Sequence, residues 1–439
     1  MNVKIEQSTE KINSNGGLVL IGQQLKKIKF TQHIKKTLKR LDKRSDAILN
    51  SDIILSYIGL LCMGFTAFDD IEKFRYDLSF KHLLGIKVVP SPETLRQRLD
   101  ELSKEYIVFD ILLEMNLLLI REVYLKETSV TGMNLIVLDV DASPMDNSGT
   151  RKEKIGNTYK DFVGYCPVFG YISNSGYMLN CNLRPGKDHS MVGAIEFIRK
   201  CLEMTDRLGI TEQILLRLDS GYDAADLVKE INNRCYYIIK RNLRQESLEY
   251  WSDHAKSHCD WEEIRKGKIR YTGFVEHITP AGREDISNVH VVIEAFEMTI
   301  DRYGQDFLFP EIEVNTFWTN LPLEPKEVIE LYHEHGTSEQ YHSELKTDMD
   351  VERLPSGKFK TNSLILQLAQ TAYNLLRRIS IDIVEFETTK VSRRRIRTIL
   401  LNIIYSACKY IRTSNCYKLK FGVDNKYCKP IKQLYARYA

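Results

Sequence analysis

From residue 18 to about residue 130, apolar positions recur with a helical period. The segments ILNSDIILSYIGLLCMGF and YIVFDILLEMNLLLIREVYL have the length and repeat of helices and no clustered turn residues. Between them, SPETLRQRLDEL opens on Ser91, a good N-cap, followed by Pro92 at the first helical position and Glu93 in the first turn. From Met133 the pattern changes to short apolar runs. NLIVLDVDAS, PVFGYIS and GYMLNCNLRPG predict three strands, SMVGAIEFIRKCLEM a helix, QILLRLDSGY a strand ending in a turn, AADLVKEINN a helix and CYYIIKRNL a fifth strand. That order implies a mixed sheet with helices packed on it. Strand-like segments (KIRYTGFVEHIT, NVHVVIEAFEMTI) then interrupt the alternation, and helical pattern returns at Pro325. The chain thus divides into a helical region (1–130), the first part of an α/β core (131–244), a β-rich insertion (245–315), the second part of the core (316–385) and a basic C-terminal region (386–439).

Composition narrows the class. At 439 residues and 43% hydrophobic, the chain can bury a large core, which excludes a disordered tail, a collagen or a disulfide mini-domain. No run approaches the roughly 18 apolar residues of a membrane span, and the first residues lack an apolar signal core, so an intracellular protein without a membrane partner is expected. The nine cysteines form no C-x-x-C pair and read as reduced, packed thiols. Charge is unevenly placed. Lys26–Arg44 carries +8 and Val391–Ala439 carries +11, leaving −16 for the rest of a chain whose net charge is +3. Basic ends suit a polyanion, because clustered Lys and Arg release counterions from phosphates; solvated helix faces are the plainer alternative. Thr94, Arg96, Gln97 and Arg98 offer the chemistry of a groove-reading helix, or of an ordinary amphipathic one.

Three carboxylates stand where apolar strands end. Asp139 and Asp141, two apart, share one face of their strand, and Asp219 ends the fourth strand before Ser-Gly-Tyr. Such residues either cap turns or hold a hard cation such as Mg²⁺, which takes carboxylate and phosphate oxygens. Downstream, Tyr332, His335, Glu339 and Lys346 follow the spacing Tyr, two residues, His, three residues, Glu, six residues, Lys. At roughly 100° per residue they fall within about 60° of arc if the helix is continuous through Gly336. The tryptophans Trp251, Trp261 and Trp318 are candidates for stacking on an unpaired base, with core packing the simpler role for each.

The Asp139-Val140-Asp141 motif after an apolar strand resembles that of haloacid-dehalogenase-type phosphohydrolases, in which Asp139 would be the nucleophile and Asp141 the acid. The two aspartates together with the Tyr332–Lys346 spacing resemble bacterial insertion-sequence DDE transposases with the Tyr-Arg-Glu-Lys signature, His335 standing where the family has Arg. GYCPVFGY, LRPGKDHS, LRLDSGY, FWTNLP and SRRRIRTILLNI are similar to signposts of that group in the same order, and the resemblance covers residues 15–439. It implies an RNase H-like α/β core with a β-rich insertion, flanked by helical N- and C-terminal regions. It further implies that Asp141, Asp219 and Glu339 are catalytic and hold two Mg²⁺ ions, with Mn²⁺ able to substitute. Asp141 directly precedes Ala142-Ser143, as the family's first acid precedes small residues, and Asp139 is the alternative first ligand. Tyr332, His335 and Lys346, with Arg96 and Arg98, would contact DNA. The implied activity is cut-and-paste transposition: cleavage at terminal inverted repeats, then strand transfer into target DNA by a homodimer in a synaptic complex, in the cytoplasm at the nucleoid. Loss of catalysis is the remaining alternative, because His335 lacks Arg's permanent, forked charge.

Overall fold

The computed structural model describes residues 3–7, 9–42, 48–244, 246–275, 278–280, 286, 288–387, 391–414 and 416–439. Lys43 and Arg44 of the first basic run lie outside the described residues. A short strand, β1 (Ile12–Asn13), precedes six helices: α1 (Leu18–Lys27), α2 (Phe30–Leu38), α3 (Asn50–Leu61), α4 (Leu78–Leu83), α5 (Pro92–Leu102) and α6 (Tyr106–Arg121). Helix α5 starts as its sequence predicts, with Ser91 Oγ accepting the Thr94 N–H at 3.2 Å and Pro92 in the first turn. Every residue of α3 is buried, so its apolar pattern runs all the way round rather than along one stripe.

The core sheet begins with β2 (Thr128–Val130) and β3 (Met133–Ala142). A small sheet follows, of β4 (Met145–Asp146), β5 (Gly156–Asn157) and β6 (Val163–Tyr165). Then come β7 (Val168–Ile172), β8 (Tyr177–Asn182), α7 (Ala194–Leu208), β9 (Gln213–Leu218), α8 (Ala225–Ile231) and β10 (Tyr236–Lys240). Next come α9 (Leu248–His258), β11 (Asp260–Arg265), β12 (Lys268–Val275), β13 (His290–Ile300) and β14 (Asp306–Thr319), whose end passes the expected boundary at residue 315. The large sheet runs β11-β12-β13-β14-β10-β9-β3-β7-β8, with β2 on β3. Strands β3, β9 and β10 are mutually parallel and their C-terminal ends lie on one edge, whereas β7 and β14 run against them and β8, antiparallel to β7, runs with them.

Alternation decides what those ends display. On β3, Ile136, Leu138 and Val140 pack with Phe197 and Ile198 of α7 and with Leu227 and Val228 of α8. Leu135 and Val137 point to the other face, together with Leu215 of β9, and pack on Val328, Ile329 and Leu331. These last three belong to α10 (Pro325–His333). Continuing the same two-residue repeat places Asp139, Asp141, Arg217 and Asp219 on the α10 face as well. Burial of apolar side chains, at roughly 2 kcal/mol for each fully buried one, thereby fixes which way the carboxylates point.

After α10, the backbone tightens into a 3₁₀ turn (Glu334–Gly336), continues as α11 (Thr337–Ser343) and widens into a π turn (Glu344–Asp348). The 24-residue α12 (Phe359–Asp382) and short α13 (Ile396–Ile399) share one apolar core with α1–α6. The C-terminal region departs from the helical expectation. Strands β15 (Cys408–Arg412) and β16 (Tyr417–Phe421) form a hairpin that pairs with β1, and α14 (Cys428–Arg437) closes the chain. Among the described residues, no helix is long and apolar enough to cross a membrane.

Candidate active site

In the parallel pairing of β3 with β9, Asp139 is level with Arg217 and Val140 with Leu218, so Asp141 and Asp219 stand side by side one residue further on. Asp219 turns the chain. Its Oδ1 accepts the Gly221 N–H at 3.0 Å and caps the 3₁₀ turn Ser220–Tyr222. Gly221 fits closely there, since a Cβ would lie 2.8 Å from Ser190 Oγ and 3.1 Å from Asp219 Oδ1 and would displace the Ser190 side chain. Burial, followed by the neighbouring Asp141 charge, pushes the Asp219 carboxyl up to about 6. Asp141 moves the other way. Burial would raise it, but the His342 hydrogen bond and the His342 and His335 charges hold it below the usual range. His342 Nε2 lies 3.2 Å from Asp141 Oδ2.

One level deeper, Asp139 is 3% exposed and its two oxygens receive Arg217 Nε at 2.7 Å and Nη2 at 2.8 Å. His335 Nδ1 adds a third contact to Asp139 Oδ1 at 2.8 Å. Burial disfavours the Asp139 carboxylate, yet the charges of Arg217 and His335 hold it at about 2. The phosphohydrolase alternative needs an accessible Asp139, whereas this carboxylate is buried and both its oxygens are occupied by Arg217 and His335. The same engagement leaves Asp141, rather than Asp139, open to a ligand. Arg217 also donates to the Leu331 carbonyl at 2.7 Å and so ties the end of α10 to the strand ends.

The helical segment after α10 brings the other expected residues to this edge. Tyr332 packs on Phe317, ring centroids 4.7 Å apart, and its hydroxyl is driven upward by burial and then by Asp219, Asp141 and Asp139. His335 faces Asp139 and His342 faces Asp141; Glu339, exposed, lies one turn from each on the same helical face. Lys346 donates to the Pro144 carbonyl, and its ammonium is lowered by burial. Glu339 stands apart from the two aspartates. Among the described residues, no group of three or more His, Cys, Asp or Glu is assembled to hold a metal ion. The donor set nevertheless suits a divalent cation. Burial and then the adjacent Asp141 charge raise Asp219, and no Lys or Arg of the described residues pairs with either carboxylate.

Other expected residues lie elsewhere. Arg98 is turned inward, donating to Asn50, with its side chain 16% exposed, so it presents no groove-reading group. Arg96 is exposed but forked onto Glu93. Trp251 and Trp318 are buried and flank Arg241, whereas Trp261 on β11 is 69% exposed. Arg184 is buried and donates to the carbonyls of Cys166, Ser190 and Val192, which holds the loop bearing exposed Lys187 and His189 beside Asp219. Of three contributors that the motif reading passed over, two carried a signal and the third, Tyr159, carried none. Arg217 interrupts an apolar strand two residues before Asp219, and His342 follows His335 by two helical turns. Tyr159, whose hydroxyl donates to the Ala142 carbonyl at 2.7 Å, sits in a loop with no regular pattern.

A family model described as "Transposase DDE domain group 1" matches residues 1–437. No curated protein matches the chain. Among solved structures, it is similar to a piggyBac transposase seen in a synaptic complex with hairpin DNA. Identity is 14%, covering 91% of this chain and 83% of that one, with a TM-score of 0.45.

Proposed function

The chain belongs to the transposase DDE domain group 1 family, and from that premise we propose that it moves an insertion sequence of bacterial type by cut-and-paste. Family membership makes it a DNA nuclease and strand transferase that uses divalent metal. The finer reading assigns Asp141, Asp219 and Glu339 to the catalytic centre and to two Mg²⁺ ions, with Mn²⁺ able to substitute. The single observation that carries it is the pair Asp141 and Asp219, side by side at adjacent parallel strand ends, with the Asp219 carboxyl pushed up to about 6. Bound there, such ions supply Lewis-acid activation of the attacking water and stabilisation of the leaving oxygen.

In this reading the chain's own groups divide the work. Asp141 and Asp219 present oxygens on a rigid sheet edge, and Glu339 closes on them from the facing helix. Tyr332 and Lys346 hold phosphates beside the scissile bond. His335 serves mainly by holding Asp139, since its Nδ1 is engaged there. The natural substrates are the terminal inverted repeats and a target duplex, the working form is a homodimer in a synaptic complex, and the protein acts at the nucleoid. The deciding experiment incubates the full chain and Mg²⁺ with a plasmid bearing the element's ends. Cleavage by the parent, but not by Asp141→Asn, Asp219→Asn or Glu339→Gln, is the expected result. Parental cleavage by Glu339→Gln would remove that residue from the centre.

A further inference from the structure

The two basic runs do not remain apart. The C-terminal Ala439 carbonyl accepts Lys27 Nζ at 2.8 Å, and β1 pairs with β15, so the beginning and end of the chain fold against each other. Much of the C-terminal charge is engaged internally. Arg393 pairs with Glu344, Arg394 with Glu387, Arg395 with Asp348 and Arg437 with Glu385. What remains is a set of exposed lysines around a cavity of about 680 Å³ between α1, α4, β16 and α14. Lys26 and Lys29 come from the first basic run and Lys432 from the last, and none has an ion-pair partner among the described residues. Tyr417 and Tyr435 line the same cavity at 45% and 42% exposure, with Phe421 behind them. Tyr417 is braced by the His82 ring, centroids 4.6 Å apart.

Two features exceed what a solvated surface needs. Tyr435, half-exposed at the mouth of the cavity, has no ring packed on it among the described residues and leaves a large π-face in water, beside the exposed edge of Tyr417, which is itself stacked on Tyr410 with centroids 5.2 Å apart. Lys29 sits in the left-handed region, at φ 53°, where a residue with a Cβ is strained and glycine would be cheaper. A flat apolar body with anions at its edge complements both: the rings stack on it and the ammonium groups meet the charge. Taking from the transposase reading only that DNA is the partner, we propose that this cavity binds an unpaired nucleotide of a DNA strand. Its base stacks on Tyr435 and meets the edge of Tyr417, and the flanking phosphates lie on Lys26, Lys29 and Lys432. No residue of the catalytic edge lines the cavity, so this is a second DNA contact.

The test uses the full chain in EDTA, with fluorescein-labelled oligothymidylate and its duplex with oligoadenylate as probes in anisotropy titrations. Tyr417→Ala/Tyr435→Ala should weaken single-strand binding about ten-fold and leave duplex binding unchanged; Tyr417→Phe/Tyr435→Phe should bind as the parent does. Lys26→Gln/Lys29→Gln/Lys432→Gln should flatten the salt dependence of single-strand affinity by about 2 in log–log slope. Lys29→Gly separates binding from folding, because relief of backbone strain should raise the melting temperature while affinity falls. Parental single-strand affinity in the tyrosine double variant would overturn the proposal. So would equal losses on strand and duplex, which mark a general basic surface. Failure of the catalytic reading is distinguishable, since it shows as Mg²⁺-dependent cleavage by Asp219→Asn whatever the anisotropy gives.

Discussion

Two layers of charged side chains occupy consecutive positions on the same two strands. The inner layer, Asp139 and Arg217, joins opposite charges through two hydrogen bonds and is almost wholly buried. The outer layer, Asp141 and Asp219, sets two like charges side by side at the strand ends. Sheet, register and facing helix are shared; what differs is the partner each carboxylate meets, Arg217 with His335 in the inner layer and a second carboxylate in the outer, where burial goes uncompensated at Asp219. The inner layer holds Asp139 at about 2 and the outer pushes Asp219 up to about 6. One arrangement is satisfied by the protein itself; the other leaves carboxylate charge for something external to satisfy. The comparison separates a structural clamp from a site that binds.

The largest effect should come from the outer layer's chemistry. Asp141→Asn should reduce Mg²⁺-dependent strand cleavage roughly 10³-fold or more, the scale of losing a group that stabilises charge in the transition state. Binding of end DNA in EDTA should stay near the parental value. An Asp141→Asn protein that cleaves normally, with Asp139→Asn inactive but folded, would exchange the roles of the two layers.

The inner layer should instead answer in stability. Arg217→Met leaves a buried carboxylate uncompensated, a change that typically costs about 3–5 kcal/mol, measured by urea unfolding. Asp139→Leu/Arg217→Met removes both charges and should recover most of that loss. If the double variant is no more stable than the single one, then the Leu331 bond, rather than the ion pair, sets the cost.

Asp219 should show the opposite sign. Its raised carboxyl means that the folded chain binds the proton more tightly than the unfolded chain does, so stability falls as pH rises from the ordinary 3.8 through about 6. Above that window the penalty is complete, at up to about 3 kcal/mol, because each tenfold gain in proton affinity is worth about 1.4 kcal/mol. Asp219→Asn should therefore be more stable than the parent at neutral pH, with the gap closing toward the acid end. Mg²⁺ should stabilise the parent and leave the variant unmoved.

These layers also show what a sequence can disclose. Asp141 and Asp219 are legible because each acid ends an apolar run, and the two-residue repeat of a strand sets the face of each from local pattern alone. Helical spacing points to Glu339, but the 3₁₀ and π turns on either side of it bend the simple wheel, and in the fold it is exposed and stands apart from the two aspartates. Arg217 is visible as an oddity, but its meaning depends on a partner 78 residues away, which register supplies and local pattern does not. The C-terminal hairpin alternates at Cys408–Arg412 and Tyr417–Phe421, a signal that the family resemblance, with its helical C-terminal region, passed over. Charge counting reads the sign of Arg393, Arg394 and Arg395 and misses that each is already paired within the fold.

The smallest effect belongs to His335, which couples the inner layer to the helix of Glu339. Burial lowers an imidazole's affinity for its proton, but Asp139, by charge and hydrogen bond, raises it above the usual value. A group whose folded pKa is raised contributes stability that is fully present below the unfolded value, near 6.5, and that is lost as pH rises through the folded value. His335→Gln keeps a donor for Asp139 and removes the titrating charge. Its unfolding free energy should fall below the parent's in mildly acid solution and approach it as pH rises. The difference should be about 1 kcal/mol, the scale of a hydrogen bond that gains a charge. His335→Arg should stay stable at high pH, where the parent has lost its imidazolium, because Arg remains charged throughout. Parallel curves for parent and His335→Gln across this range would mean that the bond to Asp139 is made by neutral imidazole, and that the clamp depends on Arg217 alone.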